Sequence, residues 1–162
     1  MIQPRFETVL EAIRRAAEEL YGPRLITLAV FGSVGRGAAG PDSDVDLLVI
    51  ARELPYGRMA RVSEFRKVEE LLAEESDPTI SDLSGRLSPV IKTPEEAEAG
   101  SPLFLDMLDD AELLIDRGGF FRDRLERLRR RLEELGSRRI RQGDRWYWDL
   151  KPDYHPGEVF EL

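Results

Sequence analysis

Cysteine is absent from this 162-residue chain. That absence excludes disulfides and thiolate metal sites. Long apolar runs are missing too. None approaches the ~18 residues of a membrane span, and the first ten residues, MIQPRFETVL, lack the apolar segment of a signal peptide. These absences predict a cytoplasmic protein with no membrane partner. Lysine is scarce, with 3 against 21 arginines. Genome composition and high growth temperature both produce such a bias, which does not separate them. There is no internal repeat and no low-complexity segment.

What remains is globular in character: 41% apolar and 35% charged residues, in a length that suits one domain with a substantial core. The net charge of −8 is unevenly spread. Residues 117–145 hold 11 arginines against 5 acids, a local +6, which leaves about −14 elsewhere. Such asymmetry suits either an acidic partner, protein or nucleic acid, or a solvated Arg-rich helix face.

Apolar periodicity predicts a helix over 4–21, with Phe6, Val9, Leu10, Ile13, Ala16, Ala17 and Leu20 on one face and Gly22-Pro23 as its stop. LITLAVF, 25–31, reads as a buried strand. Residues 32–41 hold four glycines and form a loop. Residues 44–51 read as a second strand, with both faces buried, as in a central strand. A helix is expected over 57–75, with Met59, Val62, Phe65, Val68, Leu71 and Leu72 inward, followed by a turn-rich connection over 76–85. Residues 86–93 read as a third strand that Pro89 confines to an edge or a bulge. Thr93, Pro94 and Glu96 form a capping-box signature. Helices are expected over 102–115 and 120–135, the second with an apolar stripe at Phe121, Leu125, Leu128, Leu132 and Leu135 and with Gly136 as its stop. The tail carries Trp146, Tyr147, Trp148 and His155. If it is a strand, the two tryptophans share a face. Docking on the domain's own core is their expected role, with base stacking or partner binding as the alternative. His155, in a polar Pro-flanked segment, is expected at the surface.

Chemistry concentrates in 32–50, GSVGRGAAGPDSDVDLLVI. Gly32 and Ser33 follow a strand and offer backbone N–H groups and a hydroxyl to a phosphate. Asp44 and Asp46 are two apart, so in an extended strand both carboxylates point to one face. Hard oxygen ligands beside a phosphate cradle are what divalent-metal and triphosphate chemistry requires. An EF-hand loop also matches Asp42, Asp44, Asp46 and Glu53, but its required glycine is replaced by Leu47 and no helix enters it. Aspartates merely solvated at a strand end are a further alternative. It conflicts with the cost of acids on an otherwise apolar central strand.

The set Gly32, Ser33, Arg36, Gly37, Ser43, Asp44 and Asp46, followed by LLVI, resembles the nucleotidyltransferase superfamily that includes the DNA polymerase β palm. More narrowly it is similar to the minimal nucleotidyltransferases (MNT) often paired with HEPN-domain proteins. The resemblance covers 4 to about 93 and weakens toward Leu162. It implies an α/β (α+β) polymerase β-like fold: a small mixed sheet with helices on one face, followed here by a C-terminal Arg-rich helix and aromatic tail. The expected division is a core over 1–116 and a C-terminal helix and tail over 117–162, packed as a single domain. The resemblance further implies transfer of an NMP, AMP first among them, from an NTP to a hydroxyl of a protein, RNA or small molecule. Asp44 and Asp46 would bind Mg²⁺ in a two-ion site, while Gly32, Ser33, Arg36, Gly37 and Ser43 would hold the nucleotide, with ATP the expected substrate. The family's third carboxylate would fall on the strand RLSPVIKT, which has no acid. Ser88 stands in the expected place, and Asp82 and Asp77 are the nearest upstream acids. The alternative is therefore a catalytically degenerate antitoxin or binding module that partners a HEPN protein. RNA binding has no motif behind it, and self-association stays open.

Overall fold

A computed structural model describes residues 4–35 and 43–162. The chain divides into two compact units, Met1–Phe121 and Arg122–Leu162.

In the first unit, helix α1 (Pro4–Tyr21) leads through a 3₁₀ turn at Gly22–Arg24 into strand β1 (Leu25–Phe31). The bounds follow from the sequence: the apolar stripe ends where Gly22 takes a φ of +54°, a conformation costly for residues with a Cβ. A four-residue helical turn, α2 (Gly32–Gly35), follows β1 directly. Strand β2 (Val45–Ala51), helix α3 (Arg58–Ala73), the short α4 (Pro78–Ser81) and strand β3 (Leu87–Lys92) come next. Helices α5 (Pro94–Ala99) and α6 (Phe104–Asp110) and strand β4 (Glu112–Asp116) complete the unit.

The four strands form one mixed sheet in the order β3-β2-β1-β4. β1 runs antiparallel to both β2 and β4, while β2 and β3 are parallel. β3 is an edge strand, as Pro89 requires. Val45, Leu47, Val49 and Ala51 of β2 join Leu28 and Val30 of β1 in the core beneath Val9, Ile13, Ala17, Phe65, Val68 and Leu72 of α1 and α3. Leu48 and Ile50, on the Asp46 face, are buried as well, so β2 is central and covered on both sides.

Two joints fix the frame. Thr93 and Glu96 make both bonds of the capping box, at 3.2 and 3.0 Å. The Glu96 carboxylate also takes Arg61 of α3 in a two-pronged pair at 2.7 and 3.0 Å. At β4, the Asp116 carboxylate accepts from the buried Thr27 hydroxyl at 2.8 Å and from the Phe121 backbone N–H at 2.9 Å.

Two expectations are corrected. The helix expected over 102–115 ends at Asp110, and the LLI segment is β4. Pairing with the open edge of β1 supplies it with ladder bonds that local propensity does not reveal. Met59, expected inward, is 85% exposed in the first turn of α3, whose buried residues are Phe65, Val68 and Leu72.

In the second unit, helix α7 (Phe120–Leu135), whose first two residues belong to the first unit, ends at Gly136 with a φ of +68°. The N–H of Gly136 bonds to the Glu133 carbonyl and that of Ser137 to the Leu132 carbonyl, closing the last turn. Strands β5 (Arg138–Gln142) and β6 (Arg145–Asp149) then form a hairpin about Gly143-Asp144. A glycine first in a two-residue turn matches the twist of the flanking strands. Trp146 is 54% exposed, so the expected docking on the core does not hold for it. His155 is exposed beside Glu158, as expected.

Candidate functional site

β1 delivers Gly32 and Ser33 to the sheet end where β2 begins. Phe31, the last residue of β1, lies opposite Asp46. The following turn therefore starts beside the Asp46 side chain. The contact is close: a Cβ placed on Gly32 would lie 2.3 Å from Asp46 Oδ2. Gly32 also has a φ of +71°, so both conformation and space demand glycine there. The turn is pinned from two further sides. Val34 is buried. A Cβ on Gly35 would lie 2.1 Å from the Asp110 carbonyl oxygen at the end of α6.

Asp46 is half-buried, and Asp44, just before the strand, is exposed. Asp46 stands on the β2 face that holds Leu48 and Ile50, and Asp44 comes one residue before the strand. Ser33 and Ser43 are half-buried. The Ser43 carbonyl accepts a hydrogen bond from the Arg86 guanidinium, and Val45 N–H donates to the Arg86 carbonyl at 2.9 Å. These two bonds hold the approach to Asp44 against the start of β3. The structure thus brings Gly32, Ser33, Ser43, Asp44 and Asp46 to one sheet end. Arg36 and Gly37 lie outside the described residues.

The parallel register places Ser88 beside Asp46. Partners in register point to the same face, so the exposed Ser88 stands next to the half-buried Asp46. One step earlier on that face stands Arg86, a cation. Asp77 is taken up elsewhere, as the N-cap that accepts from Thr79 N–H at 2.9 Å, and Asp82 closes the other end of α4. Among the described residues no three His, Cys, Asp or Glu side chains converge as a metal cluster. Gly35 and Arg86 are site-shaping residues that the motif alone does not single out. Gly35 has the weak signal of a second glycine three residues after Gly32, and Arg86 is revealed only by the β2–β3 register.

A mixed four-stranded sheet with a glycine turn directly after β1 and an antiparallel β2 beside it is the arrangement of a nucleotidyltransferase-type fold. The nucleotidyltransferase domain model matches residues 10–99, and the chain belongs to that family. A protein of Methanocaldococcus jannaschii that bears the name "Putative protein adenylyltransferase" is 30% identical over 131 residues, spanning 80% of this chain and 84% of that protein. A crystal structure of a toxin-antitoxin with AMP-PNP shares the fold at a TM-score of 0.50 and 17% identity, over 78% of this chain and 92% of that one. The tri-AMPylated Shewanella oneidensis HEPN toxin in complex with MNT antitoxin gives a TM-score of 0.46 at 16% identity, over 78% and 92% of the two chains.

Proposed function

We propose that this nucleotidyltransferase moves AMP from ATP to a hydroxyl on a protein acceptor. The observation that carries the reading is the Asp46 carboxylate seated against a glycine that has no room for a side chain. It joins a phosphate-sized turn to a hard oxygen ligand. The name borne by the M. jannaschii relative supports a protein as acceptor.

The donor set fits a divalent cation of the Mg²⁺ type: Asp44 and Asp46 supply hard carboxylate oxygens, and nucleotide phosphates with water would complete the shell. With Ser88 on the neighbouring strand and Arg86 just before it, the residues suit one cation better than two. When bound, that ion neutralises phosphate charge and orients the triphosphate. The chain's own residues do the rest. Gly32 and Ser33 N–H groups and the Ser33 hydroxyl bind the terminal phosphates. Arg36, Gly37 and Ser43 line the same nucleotide site in this reading. The acceptor oxygen attacks the α-phosphorus, the bond to the β-phosphate oxygen breaks, pyrophosphate leaves, and the hydroxyl proton passes to solvent. Among the described residues no third carboxylate joins the pair to take that proton, which makes slow transfer the expectation.

The test is label transfer. With ATP labelled at the α-phosphate, the acceptor gains label and one AMP in mass, and with γ-label it gains none. Asp44→Asn/Asp46→Asn abolishes transfer while the fold survives. Label arriving from the γ-phosphate, or transfer unchanged in the double variant, refutes the reading. A second reading is favoured by Ser88 alone. In it, the degenerate site binds metal and nucleotide, and the chain neutralises a HEPN-type partner without chemistry. Partner neutralisation that survives Asp44→Asn/Asp46→Asn separates the two.

A further inference from the structure

Arg86 directly precedes β3, and its backbone is fixed on two sides. Its N–H donates to the Leu83 carbonyl at 2.8 Å, and its carbonyl accepts from Val45 N–H at 2.9 Å. The half-buried side chain reaches across to the approach of β2, where the guanidinium donates to the Ser43 carbonyl. That carbonyl belongs to the peptide that leads into Asp44, so a permanent positive charge stands one peptide from the first of the two aspartates. A guanidinium carries five N–H donors, and the Ser43 bond engages one nitrogen of the three. Among the described residues the other donors have no partner, and neither Arg86 nor Asp44 is in an ion pair. The cation is therefore not spent on neutralising Asp44. A half-buried charge with no anion beside it is costly unless a ligand completes it.

β3 itself, LSPVIK, holds no acid, and Ser88 is the partner of Asp46 in the parallel register. The strand thus offers no carboxylate to a second ion, while the residue before it offers a cation. Planar N–H forks match phosphate oxygens two at a time. An arginine clamp stabilises the charge of a transferring phosphoryl group, as a metal ion does. We infer that Arg86 binds the triphosphate directly and supplies, as a fixed guanidinium, the second positive charge of this site. The inference rests on the transfer reading and adds a phosphate-binding residue to it. A role confined to holding Ser43 and Asp44 in place leaves the remaining N–H groups unused. The two roles also differ in their effect on the metal. Loss of a positioning residue weakens metal and nucleotide together, whereas removing a cation from beside a metal ligand relieves repulsion of the metal.

The test compares wild type, Arg86→Gln and Arg86→Lys in two titrations. One is calorimetry with Mg²⁺–ATP. The other is Mn²⁺ without nucleotide, followed by paramagnetic relaxation. Far-UV circular dichroism checks the fold of each variant. Arg86→Gln weakens Mg²⁺–ATP binding roughly 10- to 150-fold, the loss of one hydrogen bond to a charged group, and binds Mn²⁺ at least as tightly as wild type. Arg86→Lys keeps the charge without the fork and falls between the two for Mg²⁺–ATP. If Arg86→Gln does not fold, Arg86→Lys decides: weaker Mg²⁺–ATP binding with Mn²⁺ affinity retained supports the inference, and unchanged Mg²⁺–ATP affinity overturns it. Unchanged Mg²⁺–ATP affinity in a folded Arg86→Gln, beside a wild type that binds, overturns the inference and leaves the transfer reading standing. Parallel loss of Mn²⁺ and Mg²⁺–ATP overturns it in favour of a positioning role. A wild type that binds no Mg²⁺–ATP overturns the transfer reading itself, and the inference with it.

Discussion

Substituting Gly32→Ala sets a methyl carbon 2.3 Å from Asp46 Oδ2, where an ordinary contact begins at 3.4 Å. The carboxylate must therefore swing away by roughly 1 Å, a displacement that costs on the order of 10²-fold at a reacting centre. The backbone adds its own penalty. A φ of +71° costs an alanine about 1–2 kcal/mol. Gly22, at +54° with nothing within 4 Å of its Cβ position, isolates that second effect. Gly22→Ala and Gly32→Ala should thus lose similar stability in urea denaturation, about 1–2 kcal/mol each. Only Gly32→Ala should lose Mg²⁺–ATP affinity in calorimetry, by roughly 10- to 100-fold, as when a metal ligand's support is removed. Equal ATP affinity in the two variants would refute the link between the glycine turn and Asp46.

Other perturbations test the same frame. Ser88→Asp restores a carboxylate beside Asp46 at an exposed position. It should raise affinity for Mn²⁺, followed by paramagnetic relaxation, and speed any transfer. Arg61→Ala should destabilise the first unit by about 1–2 kcal/mol, discounted for the exposed Glu96 carboxylate, as read from the urea midpoint. The Arg61 hydrogen bond holds the Glu96 carboxyl below its ordinary 4.5. A depressed carboxyl stabilises the fold above that value and loses its effect as pH falls through the folded-state value. Acid unfolding below pH 4.5 should therefore be shallower in Arg61→Ala. The Tyr21 hydroxyl is buried with no hydrogen-bond partner, and burial pushes its ionisation above the ordinary 10.0. Tyr21→Phe should be neutral or stabilising by up to ~1 kcal/mol. It should also remove a loss of stability as pH rises above 10, where only the unfolded phenol ionises.

Elements whose signals are local were legible in the sequence. α1 and α7 match their apolar stripes and glycine stops, β1 matches its apolar run, and the Thr93–Glu96 box forms as its residues dictate. The Gly-Ser turn was legible too, as the segment that follows β1, and it meets Asp46 near the start of β2. What escaped depends on distant pairing. β4 is a strand only because β1 offers an open edge. RRIRQ has one apolar residue and becomes β5 only by pairing with β6. Met59 fits a helical stripe, yet burial in α3 falls on Phe65, Val68 and Leu72. The contact of Gly35 with Asp110 is between residues 75 positions apart, and no local pattern announces it.

Calorimetric titration of ATP, GTP, CTP and UTP, with and without Mg²⁺, into wild type and Asp44→Asn/Asp46→Asn addresses the central claim most directly. The site built on Gly32, Ser33, Asp44 and Asp46 predicts Mg²⁺-dependent binding, tightest for ATP, that disappears in the folded double variant. Binding that persists without the two aspartates, or no binding of any nucleotide by the wild type, would contradict it.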